Sequence, residues 1–410
     1  MRDWFSCEGK SEEGCQVEVP DRSIKTAIKA VSQSEGEEQA WLKEVTWNKT
    51  TNEDAFLALL LLTSVNLEKL DINIDGQVHY VQSVMERAGQ KEIQAFQKVR
   101  HILHTIAYNQ WGMHPTFIAL PLQLTSVQII FGDRIYSNDF DEKRNLRNIT
   151  TASSTVEHSE LRESRLSSVD LANLLRAPIA LKTFIYDITG GSDISDCGIS
   201  SKGLHRALES QKNSLENIWL DSRHELGRWP WTEVDEANPM PSFADFSKLK
   251  VFRIATTLLF GLNGPEAPCN YAWDPPTHRP LASLLPKSLH TFHLAQCGYN
   301  LAHHTRTLEN VLLQKATYTP LLEKIMIEGS TIRWQNFLPS IRDLARVADE
   351  QKVSFMTLDD AGVLSKGERL GFSLTTNAVE LGWRMDGSFQ CAKANCHALR
   401  PPHLTVVNLS

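Results

Sequence analysis

The 410-residue sequence has no surplus of positive charge: 42 Lys and Arg face 49 Asp and Glu, for a formal net charge of −7. A general phosphate-backbone binder needs a basic excess on some face. No Lys/Arg cluster stands out from its neighbours, so nucleic acid is not an expected partner. Long apolar runs are also missing. The most apolar stretch, AFLALLLLTSV (55–65), falls well short of the roughly 20 residues that span a bilayer. The opening residues, MRDWFSCEGKSEEGCQVEVPD, are acidic and lack the apolar centre of a signal peptide. The expectation is an intracellular protein, cytoplasmic or nuclear, with no membrane association. The Asn-x-Ser/Thr triplets at Asn48, Asn148 and Asn408 then read as chance matches.

Cysteine is scarce. Cys7, Cys15, Cys197, Cys269, Cys297, Cys391 and Cys396 are scattered and odd in number, which fits free thiols better than a disulfide framework. Catalytic motifs are lacking too. GLNGPEAP (261–268) is not followed by the Lys-Ser/Thr of a phosphate loop, and neither Gly-x-Ser-x-Gly nor His-Glu-x-x-His occurs. AHH (302–304) reads as a surface loop, because adjacent histidines rarely share an ion. CAKANCH (391–397) offers Cys391, Cys396 and His397, with His403 nearby, but there is no second cysteine pair. Free thiols in a C-terminal tail are the reading adopted. No enzyme, cofactor or resident metal is expected.

What the sequence does have is a recurring apolar spacing. SLENIWLD (214–221) places Leu215, Ile218 and Leu220 at steps of three and then two. The same shape appears in NLEKLDINI (66–74), QLTSVQIIF (123–131), ALKTFIYDI (180–188), KLKVFRIA (248–255), SLHTFHLA (288–295), LLEKIMIE (321–328) and KVSFMTLD (352–359). The leading positions Leu67, Leu124, Leu181, Leu215, Leu249, Leu289, Leu322 and Val353 are separated by 57, 57, 34, 34, 40, 33 and 31 residues. Each interval of 57 is one unit plus an insertion, or two units of which one is degenerate. Helix-period segments precede these motifs at 52–62, 167–177, 200–212, 307–316 and 337–351. Ser stands where a helix N-cap is wanted in SSVD and SSKG, and Pro178, Pro286 and Pro320 stand where helices stop. A strand–helix unit of this kind buries its apolar face only by stacking on its neighbours.

The L-x-x-L-x-L half-motif over roughly residues 50–360 resembles the leucine-rich-repeat family, and within it the longer, irregular repeats of ribonuclease-inhibitor-like horseshoes. The second half of the family motif is poorly kept. Its Asn/Cys position falls on Asp75, Gly132, Thr189, Arg223, Thr257, Cys297, Ser330 and Ala361, of which only Cys297 fits. Phrases such as LLRAPIALKTF and RALESQKNSLENIWLD resemble fungal F-box/leucine-rich-repeat proteins, in which an F-box recruits a ubiquitin ligase core and the repeats hold a substrate. The F-box pattern itself is not found; residues 21–47 could be helical but do not match it. The resemblance implies an α/β solenoid, an irregular horseshoe with a parallel sheet on its concave face and helices on its convex face.

In that fold the three apolar residues of each motif point into the core, and those between them point the other way. The first outward column is Asp71, Gln128, Ile185, Trp219, Arg253, His293, Met326 and Thr357. The second is Asn73, Ile130, Asp187, Asp221, Ala255, Ala295, Glu328 and Asp359. Trp and Arg are common binding hot spots, and an acidic column suits a basic segment. Ile185, Trp219, Arg253, His293, Met326, Asp187, Asp221, Glu328 and Asp359 are therefore the candidate partner-binding residues. The competing reading is that exposed positions vary because nothing constrains them.

The expected organisation is an N-terminal helical cap or leader over 1–50, the array over 51–364, and a C-terminal cap or tail over 365–410. Insertions are placed at 132–170, a polar surface loop, and at 222–246 and 261–280. The latter two, with Trp229, Trp231 and Trp273, could extend a binding rim or pack over the core edge. The expected function is a non-enzymatic interaction module holding a protein partner with a basic segment, with substrate selection for ubiquitination implied by the resemblance. The alternative is a regulator of an enzyme, such as a GTPase activator or an enzyme inhibitor.

Overall fold

A computed structural model describes residues 21–46, 53–73, 79–105, 112–137, 146, 149–188, 200–222, 239–260, 280–297, 301–329 and 338–358. The chain divides into two compact units, Met1–Val65 with Val78–Phe96, and Asn66–Gln77 with Gln97–Ser410. No helix among the described residues is long and apolar enough to cross a membrane.

The first unit is helical: α1 Asp21–Val31, α2 Glu35–Thr46, α3 Glu53–Thr63 and α4 His79–Gly89. Its core includes Ile28, Trp41, Leu61, Val81 and Met85. Trp41 meets the ring of Tyr80 edge-on at 4.4 Å between centroids. The Asp54 carboxylate accepts the Tyr80 and Val81 backbone N–H groups at 2.7 and 3.0 Å, which satisfies two of the otherwise orphaned donors at the start of α4.

The second unit holds one ten-stranded, all-parallel sheet whose strands lie side by side in chain order. They are β1 Lys69–Asn73, β2 His101–Thr105, β3 Ile129–Asp133, β4 His158–Ser164, β5 Thr183–Ile188, β6 Asn217–Ser222, β7 Val251–Ala255, β8 Thr291–Ala295, β9 Lys324–Glu328 and β10 Ser354–Leu358. Between them come α5 Thr116–Ala119, α6 Ser168–Arg176, α7 Ser201–Leu208, α8 Thr256–Phe260, α9 Leu281–Leu284, α10 Leu301–Leu313, α11 Lys315–Tyr318 and α12 Leu338–Glu350. Ser167 and Ser200 cap α6 and α7, accepting from Asp170 N and Gly203 N as the sequence predicts. The AHH stretch lies within α10, not in a loop, and His304 is buried with its ring stacked on Phe260 at 5.2 Å.

One backbone device repeats along the sheet. The carbonyl of the residue after each leading apolar position accepts two successive N–H groups from the next unit. Glu68, Arg100, Gln128, Glu157, Lys182, Glu216, Lys250 and His290 all do this, at 2.8–3.3 Å. Each carbonyl thereby fixes where the next strand begins, so the units keep step although their lengths vary from 25 residues (157 to 182) to 40 (250 to 290). Behind each such residue the leading apolar side chain is buried, as at Leu67, Val99, Val127, Val156, Leu181, Leu215, Leu249, Leu289 and Leu322.

This register selects the two-unit reading of the 57-residue intervals and corrects the sequence reading at three other places. Each 57-residue interval holds two units, because β2 and β4 lie inside them. Strand β4 falls within 132–170, so that stretch is not simply a polar loop. Its apolar signal is weak because Ser159 fills the position aligned with Ile130 and Phe184. Unit three is Val127, Ile130 and Gly132 rather than a pattern led by Leu124, so its outward residues are Phe131 and Asp133, not Gln128 and Ile130. Gly132 holds a core position because a Cβ there would come within 2.7 Å of Ile118 Cδ1. In β10, Phe355 aligns with Ile325 and Met356 with Met326, so Met356, not Thr357, continues the outward column. The C-terminal segment 365–410, with its Cys/His cluster, lies outside the described residues, as do Trp229, Trp231 and Trp273.

Two buried polar side chains show opposite economies. Gln211 uses both its amide hydrogens, donated to the Leu175 and Pro178 carbonyls at 2.8 and 2.9 Å. Its oxygen accepts Leu181 N at 3.0 Å and Ser214 Oγ at 2.8 Å. This one side chain ties the end of α6 to the start of β5. His104, on the core face of β2, is fully buried, and neither ring nitrogen has a hydrogen-bond partner. Burial pushes its pKa down to about 3.

Replacing Gln211 with Leu removes the partners of Pro178 O and Leu181 N and leaves Leu175 O only its bond from Ser210 Oγ, and a loss of about 3 kcal/mol is expected in urea unfolding. A change below about 0.5 kcal/mol would refute the clip. For His104 the folded pKa lies below the unfolded value near 6.5, so the unfolded chain binds more protons between the two. Stability is therefore expected to fall as pH drops from 6.5 toward 3, by up to about 1.4 kcal/mol per unit from this residue. His104→Phe should flatten that slope in pH-dependent unfolding.

Candidate functional site: a buried charge row on the second sheet face

Pairing across the sheet places the candidate residues where strand alternation puts them. Ile185, Trp219, Arg253, His293 and Met326 align in one column, and Asp187, Asp221, Ala255 and Ala295 in the next. Glu328 lies two residues beyond Met326 on β9, on the same face. All of these side chains point away from Ile218, Leu220 and their counterparts. The structure also adds two residues that sequence reading passed over, Glu160 and Arg162 of β4, with Glu160 aligned to Ile185.

The expected exposure is not found. Trp219 and Arg253 are each 1% exposed, and Ile185, His293, Met326, Asp187, Asp221 and Glu328 are all buried. A concave surface open to solvent was the expectation; instead, these groups are enclosed and engage one another. Asp359 lies outside the described residues, and Thr357 has been displaced from the column by the β10 register.

Arg253 is the centre of the row. Its Nη1 donates to Asp221 Oδ2 at 2.7 Å, its Nη2 to Glu328 Oε2 at 2.8 Å and its Nε to the same oxygen at 3.3 Å. One guanidinium on β7 thus joins β6 to β9, crossing β8. His293 of β8 sits 3.1 Å from the same Glu328 oxygen through Nε2. Gln296, just past β8, donates from Nε2 to Asp221 Oδ1. The indole of Trp219 receives Arg253 at 4.3 Å from its ring centroid and Arg162 at 5.1 Å. Both guanidiniums thus lie within the range of an attractive cation–π contact. Arg162 is anchored through Nε to Glu160 at 2.5 Å, and Glu160 also lies 3.5 Å from His158.

The electrostatics follow from enclosure and pairing. Burial alone would raise the Glu160 carboxyl, but the Arg162 guanidinium and His158 overcome it and hold the pKa at about 2. Burial opposes the charged form of Arg253, yet Asp221 and Glu328 outweigh it and push its pKa up. Arg162 is raised likewise against its burial by Glu160, Asp187 and Asp221. Burial dominates at His293 and lowers its pKa even though Glu328 pulls the other way. His293 is accordingly neutral at pH 7, while Glu160, Arg162 and Arg253 stay charged.

Chemically the row is a set of mutual partners. The carboxylates Asp221 and Glu328 are held by Arg253, which leaves them poor candidates for acid–base work on a substrate. A sequence signal for this existed: Trp219, Arg253 and His293 sit at the same step of adjacent motifs, and Asp221 and Glu328 two residues past their own step. Distinguishing a row that binds itself from a row that binds a partner required the distances. In comparisons with known proteins, no family model and no curated protein matches the chain.

Because Arg253 neutralises two buried carboxylates, Arg253→Ala is expected to cost about 3–5 kcal/mol in chemical unfolding. The triple change Asp221→Leu, Arg253→Met, Glu328→Leu should recover most of that loss, since no buried charge is then left unpaired. A stable Arg253→Ala protein would show that the row does not hold the sheet together.

Proposed function

We propose that this chain is a non-enzymatic interaction protein of the leucine-rich-repeat type, a scaffold that holds a protein partner along its array of units. The observation that carries this reading is the sheet itself: ten parallel strands in chain order, of which β2 to β9 are each set in step by the same carbonyl device. An array built this way extends a surface one unit at a time, and such surfaces serve recognition in repeat proteins.

Enclosure of Trp219 and Arg253 moves the expected contact. Along the line where strands begin, polar side chains pair from unit to unit: Glu157 with Lys182 at 2.8 Å, Glu216 with Lys250 at 2.7 Å and His290 with Glu323 at 3.4 Å. Ile179 and Leu321 stand just ahead of β5 and β9, and they are 62% and 48% exposed. These apolar side chains beside a polar ladder are the better first contact for a partner.

The test is affinity capture by the full chain from its native cell. Ile179→Asp and Leu321→Asp, both surface changes, should each reduce stoichiometric partner capture at least tenfold while unfolding midpoints stay within about 0.5 kcal/mol. Capture that survives both changes would sink this contact. A captured cullin with its adaptor assigns the protein to substrate selection for ubiquitination. A captured small GTPase whose hydrolysis accelerates assigns it to enzyme regulation.

A further inference from the structure

The line where strands begin carries one side chain per unit, that of the residue just before each strand. From β2 to β9 these are Arg100, Gln128, Glu157, Lys182, Glu216, Lys250, His290 and Glu323. All eight, and the turns that lead into them, are described residues; Glu216 and His290 are half-buried and the other six are exposed. The row holds three basic and three acidic side chains, and from Glu157 to Lys250 the sign alternates without a break. Neighbours stand one strand spacing apart, about 4.8 Å.

A row of this kind has no net charge, so a partner of a single sign finds as much repulsion as attraction along it. Its complement must alternate at the same spacing. One side of an extended peptide repeats every 6.8 Å or so, at roughly two residues. A helix repeats every turn, roughly 5.4 Å. A second stack of parallel strands repeats at the required distance, and this chain supplies one. Read backwards, the row is its own complement: Lys182 meets Glu216, Glu157 meets Lys250, Gln128 meets His290 and Arg100 meets Glu323. That relation is a two-fold axis passing between β5 and β6. Each of the four central charges then has an opposite charge beside it in its own row, as in Glu157–Lys182 at 2.8 Å and Glu216–Lys250 at 2.7 Å, and another across the interface. Apolar surface lies by the same axis. Ile179, 62% exposed, belongs to the turn entering β5, so its two copies come within about one strand spacing of each other along the row. The charges set orientation and register, and the apolar contact supplies affinity.

We propose that two copies of the chain associate through their strand-start lines, antiparallel, about a two-fold axis between β5 and β6. This rests on the reading of that line as a contact surface, and it names the occupant as a second copy.

Sedimentation of the purified full chain, 46.2 kDa per copy, tests it. A dimer that weakens as salt rises is expected. Lys250→Glu sets carboxylates against each other at two places, and Glu157→Lys does the same with ammonium groups. Each should raise the dimer dissociation constant about tenfold or more and leave the unfolding midpoint unchanged. Mixing the two single variants should restore a heterodimer, because both cross-contacts are then Lys against Glu. The double variant Glu157→Lys, Lys250→Glu should restore the homodimer as well. Within one chain that exchange places like charges beside Lys182 and Glu216, so the recovery cannot come from the fold of a single copy. An unaltered chain that stays monomeric at its highest soluble concentration overturns the proposal, as does a dimer that both single variants leave intact. Partner capture separates the two readings. A monomeric chain whose capture is lost in Ile179→Asp keeps the line as a contact surface and removes the second copy. A dimer rescued by charge exchange, whose capture of other proteins survives Ile179→Asp, upholds the second copy and removes the other partner from the line.

Discussion

Everything in the sheet depends on one backbone interaction, the carbonyl that takes two consecutive N–H groups from the following unit. It sits one residue after each leading apolar side chain, so burial of that side chain and placement of the next strand are a single event. Connections of very different length can then feed one sheet without loss of register. The short approach between successive units is visible at Gly329, where a Cβ would lie 2.1 Å from the Cys297 carbonyl oxygen. Only a residue without a side chain fits there.

On this frame the two faces of the sheet are built by different physics. The first face is apolar side chains stacked on one another, with Phe252 and Phe292 at 5.9 Å between ring centroids. Its few polar intrusions, such as His104, are neutral. From β4 to β9 the second face is buried too, but it is built as a chain of charges and one indole. Arg253 spans three strand spacings to join Asp221 and Glu328, and Trp219 lies against two guanidiniums. Buried ion pairs contribute little net stability against an apolar equivalent, but losing one member is costly. The row therefore acts as a register lock: shifting β6, β7 or β9 by one residue would leave a carboxylate or a guanidinium buried without its partner.

The same logic separates recognition from architecture. A Trp–Arg–His group in adjacent repeats has the composition of a binding surface. Here its members engage one another, and the proposed contact accordingly falls on exposed side chains where strands begin, such as Ile179 and Leu321. Fold alone does not define the partner; the distribution of satisfied and exposed groups narrows where it can bind.

The sequence by itself determined the unit: leading Leu, two apolar followers, Ser-capped helices α6 and α7, and strands β5 to β9 in their correct register. These are legible because they rest on local rules, period and capping, acting on clear apolar residues such as Leu215, Ile218 and Leu220. Only the tertiary structure decided the rest. It revealed β2 and β4, whose third and second core positions hold His104 and Ser159 and so carry no apolar signal. It moved the third unit from Leu124 to Val127, because Gly132 at the third core position hides the true start while Leu124, Val127 and Ile129 imitate the pattern, and only the neighbouring strands choose between them. It also turned the outward column inward: strand alternation fixes which face a side chain takes, but whether that face meets solvent or other side chains depends on residues far away in the chain, as Arg253 and Glu328 show at a separation of 75 positions.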